Sequence, residues 1–197
     1  MPRLRETTRT ARQHTFVTAA WRTASAQGWR DMTVGDVCDE AGLSKGAFYA
    51  HFASKRAPME ALIDDDAGAV QPMTEDLERR HPQGPERLRR PTRWVPERAG
   101  DPLRTQVLAD LWAVALTDPE IRARLSAAVE CNRGVLRRWV EEAMASGEVT
   151  DPANALASIL LAFNDGLMLH RALDDTGFQW ANVGRAMDAL MAGVRTR

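Results

Sequence analysis

Residues 33–55 read TVGDVCDEAGLSKGAFYAHFASK, the most informative stretch of the chain. It holds three short helical phrases in a row, each opened by a hydroxyl residue: Thr33, Ser44 and Ser54. Thr33 is placed to cap the first, with Asp36 three residues on as a variant of the capping box. Gly42-Leu43 supplies a tight turn. Ser44 then caps a second helix expected over Lys45 to Phe52, and Ser54 a third. Val34, Val37, Ala41 and Leu43 are apolar at spacings that seal two crossing helices. Phe48 and Phe52 lie one turn apart and face inward, while Lys45 and Tyr49 share the opposite face with His51 nearby. Two short helices at a sharp turn, the second with an apolar back and a basic-aromatic front, describe a helix-turn-helix.

On either side of this stretch strand signals are absent and helical periodicity dominates, so the expected class is all-α. A first helix is expected from Thr7 to Gln27, with Phe16, Val17, Ala20, Trp21 and Ala24 inward and Gly28 as its stop. A fourth helix is expected from Ser54, with Pro58 tolerated in its first turn and Gly68 and Pro72 ending or kinking it. Residues 82–102 hold five of the ten prolines and read as a connector with one short helix near Glu86 to Arg90. Longer helices follow from Pro102 to Leu116, from Asp118-Pro119 to Gly147, from Asp151-Pro152, and after Thr176-Gly177. Ala155 to Phe163 (ALASILLAF) is apolar nearly all round and needs cover on both sides. Trp180, Val183, Met187, Leu190 and Val194 form a narrow heptad-like seam. Together these two segments point to docking on a second copy of the chain; the plainer reading is that they cover their own core.

With 197 residues, 44% hydrophobic and 27% charged, the chain is long enough for one or two domains with a real core. No apolar run approaches a membrane span, and the basic, polar start (MPRLRETTRTARQ) carries no secretory signal, so a cytoplasmic location is expected. Cys38 and Cys131 both read as buried thiols in a reducing compartment rather than as a disulfide pair. No His/Cys spacing suits zinc, and neither a metal nor a cofactor is expected. Residues 1–58 carry nine Lys/Arg against five Asp/Glu, net +4, whereas 59–197 carry seventeen against twenty-two, net −5. A basic head on an acidic body points to a polyanion at one end only.

At these residues the chain resembles the tetracycline-repressor family of bacterial regulators. The resemblance covers residues 12–58 closely, through Ala19-Ala20, Gly28 and its following aromatic, Thr33-Val34, Ala41 to Gly46, Phe48-Tyr49, His51-Phe52 and Ser54-Lys55. Beyond that it is a likeness of layout, including Gly147-Glu148 and Asp165-Gly166-Leu167. Thr23 and Ala24 depart from the family's usual aliphatic and aromatic, and Trp21 or Trp29 is expected to fill the gap; Pro58 is a third departure. The resemblance implies an all-helical homodimer with a helix-turn-helix domain over 1–57 and an effector-binding and dimerisation domain over 58–197. It implies binding to a palindromic double-stranded operator and release by a small-molecule effector.

Lys45 stands in the first turn of the expected recognition helix, where an amine reaches guanine O6/N7 or phosphate. Gly46 allows close backbone approach, and Ala47 can meet a thymine methyl. Tyr49 and His51 suit phosphate better than base edges, although His51 could instead cap or pack. Thr33, Ser44 and Lys55 sit at helix starts, where free N–H groups favour phosphate. Arg3, Arg5, Arg9 and Arg12 read as a flexible basic arm, either tracking the minor groove or merely solvated. For the effector, Trp112, Asn132, Trp139, Phe163 and Asn164 are the candidate lining, with His170 following; a core of aromatic residues and mutually bonded polar groups reads equally well. No Ser/His/Asp order, phosphate loop, metal spacing or carboxylate pair supports an enzyme. An effector-free architectural DNA-binding protein is the alternative function.

Overall fold

The computed structural model describes residues 2–54, 56–82, 87–88, 102–145, 152–174, 177, 179, 182–183, 185–186 and 189, with backbone only for 2–10, 102 and 103. Among the described residues there is no strand, and seven helices appear: α1 (Pro2–Gln27), α2 (Val34–Ala41), α3 (Lys45–Tyr49), α4 (Ala57–Arg80), α5 (Pro102–Ala115), α6 (Pro119–Ala145) and α7 (Ala153–Leu173). They form two compact units: residues 1–66 with 106–125, and residues 67–105 with 126–197. Helices α4, α5 and α6 each contribute residues to both.

In the first unit α1 buries one stripe: Phe16, Val17, Ala19, Ala20, Thr23 and Ala24. Its small residues let α2 approach closely, and Val37 and Cys38 fill that approach. The Thr23 hydroxyl, buried where an aliphatic was expected, donates back to the Ala19 carbonyl at 2.8 Å, so no polar group is stranded. Phe16, Phe48 and Phe52 form an edge-packed cluster, with Phe16–Phe48 centroids 5.4 Å apart at 86° and Phe48–Phe52 5.2 Å apart. Of the two tryptophans near the small Ala24, Trp29 is buried and Trp21 half-buried, its Nε1 donating to Asp65 at 3.3 Å.

In the second unit the core joins α6 to α7: Leu136, Trp139, Val140 and Ala143 pack with Leu156, Ala157, Leu160 and Leu161, and Leu88 enters from the proline-rich connector. Arg87 beside it is 7% exposed. Its guanidinium lies 5.9 Å over the Trp139 ring, bonds Glu142 at 2.6 Å, and donates to the His81 and Pro82 carbonyls. Trp139 Nε1 donates to Glu78 at 2.8 Å. A buried charge so fully partnered closes this end of the core without an orphaned donor.

Several expectations are corrected. The arginine arm is not loose backbone: Arg3, Arg5, Arg9 and Arg12 lie within α1, which starts at Pro2 instead of Thr7. The helix after Ser44 stops at Tyr49, with Ala50 as its cap, instead of reaching Phe52. Helix α4 begins at Ala57. Ser54 still serves that start, its hydroxyl accepting the Arg56 N–H at 3.2 Å. Gly68 and Pro72 do not end α4, which runs to Arg80. Proline removes one backbone bond, but Val70 and Thr74 on either side are buried, and tertiary burial outweighs a penalty of about 3 kcal/mol. Cys131 is exposed, not buried. Gly147, Thr176 and most of the Trp180–Val194 seam lie outside the described residues, as does most of the 86–90 segment.

Candidate nucleic-acid interface

Local hydrogen bonds build the helix-turn-helix. Thr33 takes extended angles (φ −111°, ψ 163°), its Oγ1 accepts the Asp36 N–H at 3.2 Å, and its own N–H donates to Asp36 Oδ2 at 2.7 Å. The box is therefore complete with aspartate in the acidic position. Gln27 Nε2 donates to the same carboxylate oxygen at 2.9 Å, which ties the end of α1 to the start of α2. At the turn Gly42 adopts φ +64°, ψ 29°, and the Leu43 N–H reaches back to the Cys38 carbonyl at 3.0 Å. That left-handed residue reverses the chain and admits glycine most readily. Ser44 Oγ accepts the Ala47 N–H at 3.1 Å and starts α3.

The outer face of α3 carries Lys45, Gly46 and Tyr49, all exposed; Ala47 is half-buried and Ser44 exposed. Tyr49 is 56% exposed, its ring held edge-on to Phe48 at 5.4 Å. Lys45 and Thr33 converge: a Cβ built on Gly35 would sit 3.3 Å from Thr33 Oγ1 and 3.7 Å from Lys45 Nζ. The starts of α2 and α3 thus present a hydroxyl and an amine at one place. Gly35 was missed in the sequence; the available signal was a glycine in the first turn of a helix that already had its cap. His51 is half-buried against Phe16 at 6.0 Å, with Nδ1 buried and unpartnered. Lys55 lies outside the described residues. Burial, then the Asp39 charge, raises the Cys38 thiol above its ordinary range, which disfavours the thiolate, and the side chain is buried in the packing of this unit.

The expected effector residues do not share one described setting. Trp112, 45% exposed, belongs to the first unit. Trp139 is fully buried, Phe163 is 39% exposed, and Asn132 and Asn164 are half-buried; all four belong to the second. Asn164 Oδ1 is buried without a partner. A cleft of about 600 Å³ in the first unit is lined by Trp29, Arg30, Arg56, Val114 and residues 117–120, and by none of those five.

Residues 16–62 match the model of bacterial regulatory proteins of the tetR family, and residues 84–195 that of the C-terminal domain of BetI-type transcriptional repressors. The fold is similar to that of a candidate transcriptional regulator from Pseudomonas aeruginosa PAO1, at TM-score 0.85 and 20% identity over 94% of this chain and 91% of that one. It is similar to the regulator FadR from Bacillus subtilis in complex with stearoyl-CoA, at TM-score 0.80 and 16% identity over 91% and 97%. It is also similar to a candidate regulator from Saccharomonospora viridis in complex with choline, at TM-score 0.78 and 19% identity over 92% and 96%. No curated protein matches the chain.

Proposed function

Because the chain belongs to the tetR family of bacterial transcriptional regulators and is not an enzyme, we propose that it is a homodimeric repressor, released from a palindromic operator by a small organic effector. The observation that carries the reading is the convergence of Thr33 and Lys45 beside Gly35, with Tyr49 exposed on the same short helix. Those groups suit one duplex: Lys45 for a base edge or phosphate, Thr33, Ser44 and Gly46 for close backbone approach, Ala47 for a methyl, and Tyr49, His51 and Lys55 for phosphate. In this reading residues 1–57 bind DNA, and 58–197 bind the effector and the second copy.

The outer face of α7 supports the dimer. Ile159, Phe163, Leu169 and Leu173 are exposed there, opposite the buried Leu156, Leu160 and Leu161. Such a row of large apolar residues favours a partner surface, and a two-fold operator calls for a two-fold protein. In this reading the effector belongs to the C-terminal domain, where Asn164 Oδ1 lacks a partner, with Asn132, Trp139 and Phe163 as candidate contacts. The relatives holding stearoyl-CoA and choline support a small organic ligand. No helix among the described residues is long and apolar enough to cross a membrane, and binding to an operator calls for a cytoplasmic protein.

The test is selection of duplexes from a random pool by the purified chain, followed by sequencing. Enrichment of an inverted repeat is the expected result. Failure to enrich any sequence would overturn the proposal.

A further inference from the structure

Two ionic ties join the start of α4 to the start of α6 within the first compact unit. Asp118 caps α6, its Oδ1 accepting the Glu120 N–H at 3.0 Å and the Ile121 N–H at 3.2 Å. The same oxygen accepts from the Arg56 guanidinium, one residue before α4. Arg56 also reaches Glu120 at 3.1 Å and Glu60 at 3.7 Å. Farther along, Arg124 of α6 grips Asp64 of α4 with a fork: Nε donates to Oδ1 at 2.9 Å and Nη2 to Oδ2 at 2.5 Å. Arg124 Nη1 lies 3.6 Å from Glu60.

The polarity of the ties alternates. Helix α4's start supplies the cation in the first and the anions in the second. A slide of α6 by one turn would bring Arg122 toward Arg56 and take Arg124 from Asp64, so the charges specify one register. Exposed ion pairs contribute little singly, but here one carboxylate is already immobilised as a cap and one guanidinium binds with two nitrogens.

Resting on the operator-binding reading above, we propose that Arg56 and Arg124 are positioning residues for operator binding: they lock the start of α4 to the start of α6, so that the helix-turn-helix follows α6. Beyond these ties α6 runs on into the second unit, where it contributes Leu136, Trp139 and Val140 to the core. A dimer on DNA must hold two recognition helices at a fixed spacing, and an unpinned α4 would have to be ordered at a cost in affinity.

The experiment titrates an operator duplex, selected by the wild-type chain, against purified full-length variants, with melting temperatures alongside. Asp118→Asn keeps a competent cap and removes one negative charge. Simple attraction to DNA would then strengthen binding; the lock predicts weaker binding, by about 3- to 5-fold. Asp64→Arg should weaken it about 5-fold although it adds positive charge, as should Arg124→Glu, and the double swap, with wild-type net charge, should return to within about 2-fold. Asp118→Asn binding as tightly as wild type or tighter, or a double swap as weak as its singles, would overturn the lock while the regulator reading stands. A wild-type chain that selects no duplex would overturn both. Should the Asp64 or Arg124 variants fail to fold, Asp118→Asn decides alone.

Discussion

Gly35 and Gly42, seven residues apart in the helix-turn-helix, do different work, and substitution separates them. Gly42 has open space around it but φ +64°. Gly42→Ala should therefore destabilise the fold by about 1–2 kcal/mol through backbone strain, read as a lower denaturant midpoint. Gly35 has no such angle; an added methyl meets Thr33 Oγ1 and Lys45. Gly35→Ala should leave stability nearly unchanged, since alanine favours a helix interior, yet weaken operator binding by disturbing those two side chains. Lys45→Ala should cost about 1–3 kcal/mol of operator affinity if its amine reads a base, and a wild-type titration curve would refute that role. Asp118 adds a pH dependence. The Ile121 N–H, then the Glu120 N–H and Arg56, hold its carboxyl below the ordinary 3.8, against burial and with Glu60 and Glu120 nearby. A depressed carboxyl stabilises the fold above its unfolded value and loses that contribution as pH falls through the folded one. The stability gap between wild type and Asp118→Asn should hold steady above 3.8 and shrink below it, as acid-unfolding curves would record.

At the scale of elements, capping and turn chemistry mark where helices start, and burial determines how far they run. Thr33, Gly42 and Ser44 were readable because each makes its bond to a backbone group within five residues. The length of α4 was not, because Gly68 and Pro72 oppose helix locally and only buried neighbours carry it past them. Helix α7 illustrates both sides. Its all-round apolar composition was plain, but which half its own core covers required the packing. The exposed half yields a prediction: wild-type chain should sediment as twice 21.9 kDa, and Ile159→Glu, placing a charge on a residue 63% exposed in one copy, should sediment as the monomer. A dimer unaffected by Ile159→Glu would move the interface off this face.

For the whole molecule, the charge imbalance between residues 1–58 and the rest predicts strongly salt-dependent binding oriented through the N-terminal helices. A plot of log affinity against log salt should be linear, and Lys45→Ala should lower its slope by about one if Lys45 meets a phosphate. An effector that releases DNA must bind free protein more tightly than operator-bound protein by the same factor. Thermal shifts with lipophilic and quaternary-ammonium compounds, followed by operator titration with each hit, would measure that reciprocity. Stabilising compounds that leave operator affinity unchanged would remove release by effector from the mechanism.

The DNA-binding end was legible from residues alone: the all-helical class, the capped helix pair, its inward phenylalanines and its outward lysine and tyrosine. These follow from contacts between residues close in the chain, which a local pattern records. The remainder came from packing. Trp139 is wholly buried, bonded to Glu78 and covered by Arg87, while Trp112 is exposed, although both sit on similar apolar stripes. Arg56 meets Asp118, and Arg124 meets Asp64, across about sixty residues of chain. No local spacing carries such pairings, because long-range partners are selected by how helices pack, and packing depends on the whole set of buried surfaces at once.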